Sequence, residues 1–234
     1  MTEKKHILLT GTSRGLGLEL ARHYLESGFL VTGMSRSNAD IDDKNYHHIN
    51  CDIAIEPEVI ASIKKLKRER GAIDVLVNNA GIASMNHFSL TPGHSVNSIF
   101  GTNVFASIIL CREVGKIMIR QKRGRIVNLS TVAVPLSIEG EAVYSASKAA
   151  LEQYTKVVSK ELAPHGVTAN IIGPSPIPTK LIENIPEEKI RKILDQQAIK
   201  KFASIEDITN VIDFFIDDRS KFITGQTIYL GGVS

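Results

Sequence analysis

The chain has 234 residues, is 43% hydrophobic and carries a formal charge of +3 from 28 basic and 25 acidic side chains. That length suits one well-buried α/β domain and is short for two. The near balance of charge argues against nucleic acid as a partner, since the one basic run, KKLKRER at 64–70, reads as a solvated helix face. Cys51 and Cys111 are too few for a disulfide framework and form no metal-ligand spacing, so they are expected as buried fillers, with no metal. The apolar stretch near the N-terminus is too short for a secretory signal, and no later run approaches the roughly 18 apolar residues of a membrane span. A soluble, cytoplasmic protein is the expectation.

In chain order, short β-rich runs alternate with helix-length segments: HILLT at 6–10, FLVTGM at 29–34, YHHIN at 46–50, IDVLV at 73–77, RIVNLS at 125–130, VTANII at 167–172 and TIYLG at 227–231. Strands spaced by helices build right-handed βαβ crossovers, and hence a doubly wound parallel sheet covered by helices on both faces. Directly after the first run comes Thr10-Gly11-Thr12-Ser13-Arg14-Gly15-Leu16-Gly17 and then a helical pattern. Glycines there permit a tight turn and close backbone approach to a pyrophosphate, and the helix offers free N–H groups to it. Where an NAD enzyme usually places a carboxylate, at the end of the second strand, this chain has Ser35 followed by Arg36. With Arg14 as a second cation, the pattern favours the 2′-phosphate of NADP(H) over NAD(H). The alternative is that both arginines are ordinary surface residues.

In YSASK, Tyr144 and Lys148 stand four residues apart, on one face of a helix. A phenol titrates near 10 in water, and an adjacent ammonium would bring it toward useful proton exchange. Tyrosine and lysine also meet at this spacing as a core ring beside a snorkelling surface lysine. Thr131 supplies a hydroxyl thirteen positions before the tyrosine.

TGTSRGLG, NNAG at 78–81, Asn103, YSASK and ITGQTIYLGG occur in an order that resembles the short-chain dehydrogenase/reductase family over essentially the whole chain, in its single-domain branch, nearest to 3-oxoacyl-[acyl-carrier-protein] reductases. The resemblance implies a seven-stranded Rossmann sheet in one domain over residues 1–234, with a substrate loop and lid at about 174–202. It implies hydride transfer between a nicotinamide and a carbonyl/alcohol pair, and a homodimer or homotetramer. Tyr144 would be the general acid, and Lys148 would hold the nicotinamide ribose and lower the tyrosine pKa. Asn103 would bind a water that relays protons to Lys148, and Thr131 would hydrogen-bond substrate. Asp52 and Ile53 would meet the adenine, with Asn79, Ala80 and Gly81 along the cofactor. Pro174, Ile177 and Thr179 would follow in the loop after the sixth strand.

The chain departs from the family at two places. Threonine replaces serine at position 131, where its methyl stiffens χ1 and narrows the pocket. Ser175 replaces a glycine that would permit positive φ, so it must take a different turn or carry strain. Reductases acting on acyl carrier protein present basic residues beside the active-site entrance, and the matching positions are Lys122 and His165. Leu181, Ile182, Ile185, Ile190, Ile193 and Leu194 are spaced for a helical lid, or for a plain surface helix. Helices beginning near residues 94 and 142 have apolar residues on several faces, including Ile108, Ile109, Ile117, Val157 and Val158, which points to burial by another subunit. The reading is an NADPH-dependent carbonyl reductase acting on a small-molecule or acyl-thioester carbonyl, 3-oxoacyl reduction being the leading case. The alternative is an NADPH-binding regulatory or scaffold protein without turnover.

Overall fold

A computed structural model describes residues 4–178 and 186–233. Seven parallel strands form one sheet in the order β3-β2-β1-β4-β5-β6-β7. They are β1 His6–Thr10, β2 Leu30–Ser35, β3 Tyr46–Asn50, β4 Val75–Asn78, β5 Gly124–Leu129, β6 Val167–Gly173 and β7 Thr227–Tyr229. The helices are α1 Gly15–Glu26, α2 Glu56–Arg70, α3 Gly93–Phe100, α4 Ala106–Gln121, α5 Ala133–Leu136, α6 Ala142–Leu162, α7 Glu187–Asp195 and α8 Ile205–Ile216.

The expected runs shift by a residue or two where backbone groups find other partners. β4 starts at Val75 because the Ile73 N–H donates to the Gln121 side chain at 3.2 Å. β7 stops at Tyr229, ahead of the positive φ of Gly231 and Gly232.

Alternation along the strands sorts the core onto both faces. Ile7 and Leu9 of β1 pack with Leu20 and Tyr24 of α1 and with Ile208, Ile212 and Phe215 of α8. Leu8, between them, packs on the other side with Val59 and Ile63 of α2 and with Leu110, Val114 and Met118 of α4. Cys51 and Cys111 are both buried there as free thiols. The basic run on α2 is exposed apart from buried Leu66 and half-buried Arg70. α8 begins with a reciprocal cap, in which the Asp207 N–H donates to Ser204 Oγ at 3.2 Å and the Ser204 N–H donates to Asp207 at 2.8 Å.

A π-helical turn, Gly101–Phe105, joins α3 to α4. The continuous run Gly93–Gln121 has the length and mean hydropathy, 1.2, of a membrane span. Its apolar side chains instead supply much of the sheet core. Ile109 and Ile117 are buried within the chain, whereas Phe105 and Val157 remain 57% and 48% exposed.

The chain leaves β1 for β2 and β3 on one side, then returns to β4 on the other. The carboxyl ends of β1 and β4 therefore diverge, and a crevice opens at this switch point.

Candidate active site

A cleft of about 830 Å³ lies in that crevice. Its phosphate-side wall is the loop from Gly11 to Gly17, including Ser13, Arg14, Gly15 and Leu16. Gly11 and Gly15 hold positive φ, and a Cβ on Gly17 would lie 2.2 Å from the Gly11 carbonyl oxygen, so these positions favour glycine. α1 starts at Gly15 with no acidic residue in its first turn, leaving its N-terminal N–H groups and dipole turned toward anions. Ser35 closes β2, its hydroxyl donating to the Ser37 carbonyl at 2.9 Å. Arg14 and Arg36 both line the cleft and are exposed. Asp52 and Ile53 continue the wall, and Asp52 also caps its own turn by accepting from the Ala54 N–H at 3.0 Å. These features fit a dinucleotide: glycines that admit close backbone approach, a helix N-terminus, and two cations, Arg14 at the start of α1 and Arg36 after β2, with no carboxylate closing that strand.

Asn79, Ala80 and Gly81 line the middle of the cleft. Thr10 anchors them, its hydroxyl accepting from the N–H groups of Asn79 at 3.0 Å and Ala80 at 2.9 Å. Thr131, Tyr144 and Lys148 line the same cleft. Lys148 is buried and its ammonium donates to the Leu129 carbonyl at 2.8 Å. Asn103 lies fully buried behind Gly81. Its Oδ1 accepts from the Ile82 N–H at 2.9 Å, and its Nδ2 donates to the Ile82 carbonyl at 2.9 Å and to Ser147 Oγ at 3.1 Å. A Cβ on Gly81 would stand 3.2 Å from Asn103 Oδ1 and 3.4 Å from Lys148 Nζ, which places the three groups in one small volume.

The chain matches the family model described as Enoyl-(Acyl carrier protein) reductase over residues 11–233. It is 31% identical to the 3-oxoacyl-[acyl-carrier-protein] reductase FabG of Staphylococcus aureus, with 99% of this chain and 98% of that protein aligned. The chain belongs to the short-chain dehydrogenase/reductase family. Among solved structures, 4-hydroxyisoleucine dehydrogenase complexed with NADH superposes with a TM-score of 0.91 at 26% identity, covering 98% of both chains. ElxO with NADP bound superposes with a TM-score of 0.90 at 26% identity, covering 97% of both. Nicotinamide-dependent oxidoreduction follows for this family member.

Two groups pull the ionisations of this short-chain dehydrogenase/reductase apart. Burial is the largest influence on Tyr144 and raises its pKa to about 12, Glu141 adds to the rise, and a hydrogen bond with Thr131 opposes it. Burial lowers Lys148 to about 8, against the field of Glu152. With the Lys148 ammonium engaged by the Leu129 carbonyl, the phenol stands above its ordinary value rather than below it.

Pro174, Ser175, Pro176 and Ile177 border the cleft. Ser175 takes the different turn rather than a strained one: it has no positive φ, is buried, and donates to Gln197 Oε1 at 2.9 Å. Thr179, Leu181, Ile182 and Ile185 lie outside the described residues. Further on, α7 turns Ile190 and Ile193 into the cleft, where both are buried. Lys122 and His165 do not flank the entrance of their own chain. They precede β5 and β6, at the amino-terminal edge of the sheet, because the α4–β5 and α6–β6 connections both run there.

Two carboxylates escaped the reading of the sequence. Glu141 lines the cleft three residues before Tyr144. Glu152 is buried one turn after Lys148, accepts from Tyr229 OH at 2.7 Å, and is hydrogen-bonded by Ser130 Oγ. The available signal for Glu152 was its i+4 spacing from Lys148. Its partner on β7 is distant in sequence and gives no local sign.

Proposed function

We propose that this protein is an NADPH-dependent carbonyl reductase in which Tyr144 is the general acid. The observation supporting this most directly is the convergence of Tyr144, Thr131 and Lys148 on a cleft whose other end presents Arg14 and Arg36. The nicotinamide, when bound, supplies the hydride. Tyr144 gives its proton to the carbonyl oxygen, and Thr131, beside the phenol, holds that oxygen in place. The raised phenol pKa keeps Tyr144 protonated at neutral pH, as an acid must be. Lys148 orients the ribose, and its positive charge stabilises phenolate as the proton leaves. Asn103 fixes the Ile82 backbone against this cluster and relays protons through a water.

Arg14 and Arg36 support NADPH over NADH, because a 2′-phosphate gains charge-assisted hydrogen bonds where Ser35 offers no repelling carboxylate. Exposed Phe105 and Val157 support assembly with further copies of the chain, as a homodimer or homotetramer in the cytoplasm. The names of the similar proteins range from an acyl-thioester reductase to a hydroxy-amino-acid dehydrogenase. The FabG likeness makes an acetoacetyl thioester the first substrate to try.

The test follows absorbance of NADPH, with NADH in parallel, against acetoacetyl thioesters, small diketones, cyclic ketones and keto-sugars. Turnover with NADPH on one class supports the reading. Silence across the panel with NADPH still bound would replace it with a non-catalytic NADPH-binding protein.

A further inference from the structure

We infer that Glu141 selects the substrate: it receives a hydrogen-bond donor, hydroxyl or ammonium, carried close to the reacting carbon. This rests on the carbonyl-reductase reading and adds a substrate class to it.

Glu141 is 7% exposed, lines the cleft, and finds no partner among the described residues. It occupies the N-cap position of α6, yet its side chain caps nothing. Among the described residues no ion pair includes it. A buried carboxyl is ordinarily hydrogen-bonded or paired, because desolvation is otherwise uncompensated. Burial accordingly lifts the Glu141 pKa to about 7, with no hydrogen bond or charge from the described residues opposing it.

Glu141 and Tyr144 stand three residues apart at the start of α6 and both line the cleft. A group that satisfies Glu141 is thereby held near the proton donor, and the carboxylate's field reaches the phenol. The only other carboxylate among the described residues of the cleft, Asp52, is at the cofactor end and already accepts from Ala54. Ile138, whose carbonyl accepts from the Glu141 N–H at 3.2 Å, lines the cleft beside it, and Ile82, Ile190 and Ile193 add apolar lining to the same cleft. A carbonyl compound bound there without a donor would leave the carboxyl desolvated and unsatisfied. An ammonium would do more than a hydroxyl, since it also cancels the negative charge beside Tyr144.

The experiment compares oxidation of five secondary alcohols at pH 8 with NADP⁺: 2-butanol, 2,3-butanediol, 1,3-butanediol, 3-amino-2-butanol and 4-amino-2-butanol. The unmodified protein is expected to favour donor-bearing alcohols over 2-butanol by about tenfold or more in kcat/KM, the size of one charge-assisted hydrogen bond. In Glu141→Leu the ratio should collapse toward one. Glu141→Gln, an isostere that checks against misfolding, should lose preference for the amino alcohols while keeping part of that for the diols. That comparison separates ammonium from hydroxyl as the natural donor. A preference for 2-butanol in the unmodified protein, or the same ratio in Glu141→Leu, would overturn the inference.

If no alcohol or carbonyl is turned over, the reductase reading is what has failed. Saturation-transfer NMR on the NADP⁺-incubated protein then decides for Glu141. Contact with 3-amino-2-butanol or 2,3-butanediol that disappears in Glu141→Leu upholds the assignment, and contact equal in both proteins, or in neither, rejects it.

Discussion

Lys148 and Glu152 stand one turn apart on α6, and the carboxylate supports an ammonium that burial alone would push further toward its neutral form. Glu152 is itself held by hydroxyls from two places, Ser130 after β5 and Tyr229 at the end of β7. The last strand of the sheet is thereby tied to the residue behind Lys148.

Glu152→Gln removes the negative charge while keeping the shape. The Lys148 pKa should fall, so the alkaline limb of the kcat/KM profile should move to lower pH. Glu152→Ala should also strand the buried Ser130 hydroxyl, costing about 1–3 kcal/mol, and release the half-buried Tyr229 hydroxyl, which urea denaturation would reveal. An unmoved pH profile in Glu152→Gln would mean that the carboxylate serves the fold alone.

Tyr144→Phe keeps the ring and removes the proton donor. Turnover should drop by about 10²–10⁴-fold, while NADPH affinity, read by cofactor fluorescence, changes little. Equal losses in both would place Tyr144 in binding rather than proton transfer.

Cofactor choice should reverse in Ser35→Asp combined with Arg36→Ala. A carboxylate at the end of β2 repels a 2′-phosphate and accepts from ribose hydroxyls, and loss of the guanidinium removes a charge-assisted bond of about 1.5–3 kcal/mol. The NADPH/NADH ratio of kcat/KM should fall at least tenfold. An unchanged ratio would show that Arg36 lies outside the phosphate site.

Glu141 should make stability fall as pH rises. Its pKa in the folded chain is about 7, against an ordinary value of 4.5. Between these values the folded protein holds a proton that the unfolded chain has lost, so rising pH favours unfolding. The penalty is absent below the lower value and complete above the higher one, at roughly 3 kcal/mol or less. Lys148 stays charged through this window, whereas buried His6, whose pKa is lowered by desolvation, contributes with the opposite sign. The decisive quantity is therefore the difference between the unmodified protein and Glu141→Gln, from urea denaturation at pH 5 and pH 7.5. Parallel behaviour of the two would refute the assignment.

Local patterns made the fold legible. Alternating short β runs and helix-length segments anticipated the parallel sheet, and the glycines between β1 and α1 marked its switch point, because backbone sterics and hydrophobic periodicity act over neighbouring residues. The same locality made YSASK readable as one face of one helix. Tertiary structure decided what depends on distant partners. Ser175 escapes strain because Gln197, 22 positions away, accepts its hydroxyl, and Glu152 is held by Tyr229, 77 positions away. Lys122 and His165, aligned with family positions beside an entrance, fall at the far edge of their own sheet because every parallel strand starts there. Nothing in the local sequence singled out Glu141. Only the folded cleft buries it, with no partner among the described residues, since desolvation is a property of the folded volume and not of any local spacing.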